Sequence, residues 1–120
     1  MKANFCFAAL MALLIQIAPA FAGEGSVHGI GAKSCASFVF TLKNLNRDME
    51  VNHRETSKYL GWVNGFATGA GLAMDTGPLK GVSGDEKLAW LRRYCGEHPN
   101  ESFSVAAASL LDAYIAESKR

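Results

Sequence analysis

Cysteine is scarce in this chain of 120 residues: Cys6, Cys35 and Cys95 are the only three. An excess of either charge is also missing, with 12 Lys and Arg against 11 Asp and Glu. No basic face, basic tail or acidic tract stands out, so nucleic acid is not an expected partner. The short basic pair Arg92-Arg93 and the basic end Lys119-Arg120 fall at expected helix C-termini, where positive charge complements the helix dipole. Apolar runs are short as well. The longest, from Phe5 to Ile17 and interrupted at Gln16, falls below the roughly 20 residues a bilayer requires. Strand-like alternation, internal repeats and low-complexity tracts are absent.

Signatures of chemistry are missing too. His28, His53 and His98 stand at no ligand spacing that would define a zinc site. The sequence holds no Gly-x-Ser-x-Gly nucleophile turn. Asp75-Thr76-Gly77 lacks the further carboxylates of a calcium loop. The glycines of Gly29-Ile30-Gly31 follow no strand and make no phosphate loop. A catalytic Cys95 assisted by His98 would leave Cys35 unpaired, which an oxidising compartment disfavours. A non-enzymatic protein without metal or cofactor is the expectation.

What is present begins with an export signal. Lys2 gives a positive start, the Phe5–Ile17 run comes next, and Ala20-Phe21-Ala22 offers small residues at the two positions a signal peptidase reads. Residues 1–22 therefore read as a signal peptide, cleaved before Gly23. This implies a periplasmic or secreted location, without stable membrane insertion after cleavage. Taking 22 residues from 120 leaves 98, near the lower end for a self-sufficient core. Cys6 leaves with the signal. The two remaining cysteines, Cys35 and Cys95, read as a disulfide stapling a small exported domain.

The helical period is clear in the remainder. Residues 23–33, with four glycines in Gly23 to Ala32, show no period and read as a mobile lead. Residues 34–120 read as one domain of four helices. The first starts after the cap-type residue Ser34 and runs to about Asn44, with Cys35, Phe38, Val39 and Leu42 on one face. Asn44 to Asn52 is polar and reads as a loop. The second helix runs from about Arg54 or Thr56 to Met74, with Tyr59, Trp62, Val63, Phe66, Ala70 and Ala73 as its apolar stripe. Gly61, Gly65 and Gly69 lie four apart beside that stripe. Each glycine costs a helix up to about 1 kcal/mol relative to Ala, so a close backbone approach is expected against them. That approach is either packing within the domain, the preferred reading, or a protein partner such as a second copy in a homodimer.

Asp75 to Gly84, with three glycines and Pro78, reads as a helix connection or a contact loop. Ser83 and Glu86 fit a capping box for a third helix bearing Leu88, Leu91, Tyr94 and Cys95 on one face, with Gly96 placed to end it and Pro99 beyond. A fourth helix starts at Asn100 or Ser102 and carries Phe103, Ala106, Ala107, Leu110, Leu111 and Tyr114.

The run Tyr59-Leu60-Gly61-Trp62-Val63-Asn64-Gly65-Phe66, followed by Trp90-Leu91-Arg92-Arg93-Tyr94-Cys95-Gly96-Glu97-His98-Pro99, resembles a group of small exported proteobacterial helical proteins. That group is similar to the Rap1a/Tai periplasmic immunity proteins, which bind and neutralise type VI secretion effectors. It is also similar to the HdeA class of acid-stress chaperones, whose helices are tied by one disulfide. The resemblance implies an all-α, four-helix periplasmic domain stapled by one disulfide and acting through protein binding. Immunity is the first reading, and an acid-stress chaperone is the alternative.

Overall fold

The computed structural model describes residues 26–45 and 49–120. The signal segment 1–22, Cys6 and the start of the glycine-rich lead lie outside them. Among the described residues the protein is all-α: α1 spans Cys35–Lys43, α2 Met49–Met74, α3 Gly84–Glu97 and α4 Phe103–Ser118. The domain is stapled by the disulfide Cys35–Cys95, which joins the first residue of α1 to the last turn of α3.

The helix starts are set by their caps. Ser34, Ser83 and Ser102 each have extended backbone, and the side chain of each accepts the amide N–H three residues on. That is how a hydroxyl satisfies an orphan donor of a first turn. At Ser83 the box is complete: its N–H donates to Glu86 Oε2 at 2.8 Å while its Oγ accepts from the Glu86 N–H. The ends are less regular. Gly96 does not terminate α3, which continues to Glu97 and is capped at His98. Gly96 keeps a negative φ, so the expected left-handed stop is not used there. The left-handed stop occurs instead after α2. Asp75 takes φ 51°, and the Thr76 N–H returns to the Gly71 carbonyl at 2.9 Å. This six-residue closure ends a helix at a residue tolerant of that conformation.

The elements differ from the sequence pattern in two further places. α2 begins at Met49, inside the stretch read as a loop, because local polarity does not forbid helix when later turns are anchored. The lead is not wholly without structure. Gly29–Ala32 form one 3-10 turn, with Gly31 buried. An added Cβ at Gly31 would fall inside the Trp62 indole, so Trp62 covers this turn only because position 31 has no side chain.

The core sits where the four helices meet. Phe103 contacts Phe38 at 4.9 Å, Tyr59 at 5.0 Å and Trp62 at 6.0 Å between ring centroids. These tilted and edge-on arrangements suit aromatic quadrupoles. Cys35, Cys95, Val63, Leu91, Leu110 and Leu111 complete it. Trp62, Phe66 and Tyr94, expected in the core, pack against its rim and stay partly buried. The N-termini of α1 and α4 are clasped together. Cys35 N–H donates to the Glu101 carbonyl at 2.8 Å, Phe103 N–H to the Lys33 carbonyl at 2.7 Å, and Ala36 N–H to the Pro99 carbonyl at 3.0 Å. Amides that a helix start leaves unpaired are thus satisfied by the neighbouring chain.

Candidate functional site

α2 shows which face is inward. Tyr59, Val63, Ala67 and Gly71, four apart, are buried. Gly61, Gly65 and Gly69 lie two residues off that line, about 200° around the helix, and all three are exposed. A Cβ added at any of them meets nothing within 4 Å. The preferred expectation of close packing within the domain is therefore wrong for this stripe, because the inward line is set by Tyr59 and Val63. The glycine that does pack closely on α2 is Gly71, where a Cβ would come within 2.5 Å of the Thr76 carbonyl oxygen. On the outward face Leu72 is 82% exposed, and Met74 beside the helix end is 50% exposed.

That face runs into a cleft of about 780 Å³ between the C-terminal half of α2, the 75–81 turns and the start of α3. Asn64, Thr68, Leu72, Asp75, Lys80 and Lys87 are among its lining residues. Among the described residues Lys87 is the buried charged one, 9% exposed, and its Nζ donates to Asn64 Oδ1 at 2.8 Å. Sequence reading missed Lys87. The signal for it was the buried line of α3, since Leu91 and Cys95 continue backwards by four residues to position 87.

A second polar group ties α3 to the α4 start. Tyr94 Oη donates to Glu101 Oε2 at 2.7 Å and accepts from Ser109 Oγ at 3.2 Å. Its ring stacks on His98 at 4.4 Å and on Trp90 at 5.3 Å. The bond to the Glu101 carboxylate, with help from burial, pushes the Tyr94 phenol above its ordinary value. His98 Nδ1 lies 3.8 Å from Glu101 Oε1, so His98 faces this carboxylate. Cys95 is already joined to Cys35. Glu55 is engaged with Lys58 at 2.6 Å, which holds its carboxyl below the usual range. No group of three or more His, Cys, Asp or Glu among the described residues could hold a metal ion.

The fold and this surface define a small all-α domain closed by one disulfide. No helix among the described residues is long and apolar enough to cross a membrane. No protein-family model matches the chain, and no curated protein or solved structure shows significant similarity to it.

Proposed function

We propose that this protein works in the periplasm by binding a protein partner rather than by catalysis, in the manner of the Rap1a/Tai immunity proteins it resembles. The observation carrying this reading is Leu72, an 82% exposed leucine at the lip of the cleft. A lone exposed leucine is ordinary, but Leu72 is exposed together with Met74 near the helix end and lines a concavity, and apolar exposure that gathers at a cleft is what marks a contact surface. The bare backbone at Gly65 and Gly69, about two turns and one turn before Leu72 on α2, permits a partner helix or loop to approach closely.

A photoreactive residue placed at Leu72, and separately at Arg93 on α3 as an exposed control, tests the reading in exported, oxidised protein. One adduct of defined mass at position 72 and none at 93, at neutral pH, supports a specific partner. Mass spectrometry of that adduct names it, and an effector would establish the immunity role. Many adducts appearing only at acid pH would replace this reading with the HdeA-like chaperone. The absence of any adduct at position 72 under both conditions defeats binding through this face.

A further inference from the structure

Lys87 combines a charge, burial to 9% exposure and, among the described residues, a single side-chain partner. It stands in the first turns of α3, on the line that continues to Leu91 and Cys95, and its stem is drawn into the domain. An ammonium offers three N–H donors, and here one is accepted by Asn64 Oδ1 at 2.8 Å. No carboxylate among the described residues pairs with it. A buried charge facing a neutral acceptor is an expensive arrangement unless something completes it. Asn64 is exposed and open to a ligand from solvent. With its oxygen turned to Lys87, its Nδ2 donors have no partner among the described residues. Both side chains line the cleft.

The neighbouring groups decide which anion fits. Phosphate sites rely on clustered free backbone amides, and several of the amides in and beside this cleft are engaged. Thr76, Lys80 and Val82 N–H close turns onto Gly71, Gly77 and Leu79 carbonyls. At the start of α3, Glu86 N–H is held by Ser83 Oγ. Asp75 shares the lining with Lys80 and Lys87, so the three formal charges sum to +1, which suits a monoanion better than a dianion. We propose that the cleft is an oxyanion site in which Lys87 and Asn64 receive a single carboxylate, that of an acidic side chain on the protein partner. The site stands on its own geometry, whereas its protein-borne occupant rests on the binding reading above.

Nitrogen and carbon NMR of the oxidised protein tests this with three probes: N-acetyl-glutamate N-methylamide, its glutamine counterpart, and inorganic phosphate. The glutamate probe is expected to shift the Asn64 side-chain amide and the Lys87 Cε signals saturably, and the glutamine probe to leave them in place. Lys87→Met, which keeps the buried stem, should weaken the response about tenfold or more, as loss of a charged hydrogen bond does. Asn64→Ala changes an exposed residue and should weaken it severalfold in a protein that stays folded. Equal shifts from the glutamine probe, or an undiminished response in both variants, overturn the site. Tighter saturation by phosphate overturns the carboxylate assignment. A saturable glutamate response without a cross-linked partner at position 72 removes only the partner. A cross-linked partner without that response removes only the oxyanion site.

Discussion

Gly31 and Gly65 are the same residue type in opposite circumstances, and alanine distinguishes them. At Gly31 a Cβ would enter the Trp62 ring, so Gly31→Ala should overpack the contact and lower stability by about 1–3 kcal/mol. At Gly65, exposed in mid-helix with nothing within 4 Å, Gly65→Ala should raise stability by about 0.5–1 kcal/mol. Urea melts of the two variants check both signs, and a destabilised Gly65→Ala would mean that the face is covered in the free protein. The sequence announced that the glycines of α2 needed an explanation but not which way they face. Their spacing of four is shared by the buried line through Tyr59 and Val63, and only tertiary contacts rank the two. Gly31 was illegible for a different reason. Its constraint comes from Trp62, thirty-one positions away, and no local pattern records such a distance.

At the scale of elements, the capped starts of α1, α3 and α4 were legible, whereas α2 begins at Met49, ahead of the expected Arg54 or Thr56. Ser34, Ser83 and Ser102 cap as their residue type predicts, because a cap depends on a hydroxyl and an amide three residues apart. The ends fell within a residue of expectation, but the stop geometry depends on the path the chain takes after the last turn. Gly96 stays helical, while Asp75 with Gly71 behind it makes the left-handed stop. The α3 box also gives a pH-dependent prediction. The Ser83 N–H, with its hydroxyl in support, holds the Glu86 carboxyl below its ordinary value of 4.5. A lowered folded value means that the stabilisation is complete above about pH 4.5 and is lost as pH falls through the folded value. Glu86→Gln should be less stable than the native protein near neutrality, and the difference should shrink in melts run below about pH 4. A gap that widens on acidification would contradict this account of the box.

The whole molecule is held by a staple across its first three helices. Cys35 and Cys95 were legible as partners by count alone, but their place inside the core was not. Both are fully buried, beside the clasp of Cys35 and Ala36 amides onto the 99–101 segment. The bond closes a loop with sequence separation 60, and a loop of that size stabilises by about 4 kcal/mol through the unfolded chain. Paired Cys35→Ala and Cys95→Ala replacement should therefore remove a large share of the stability of so small a domain. Thermal melts would show it, and an unchanged midpoint would place the stability elsewhere. The same bond spans the exposed turns after α2, where Asp75, Thr76 and Gly77 lie open to solvent. Proteolysis there would release no fragment. The piece bearing α1 and α2 and the piece bearing α3 and α4 would remain one nicked, two-chain molecule until a reductant let them part.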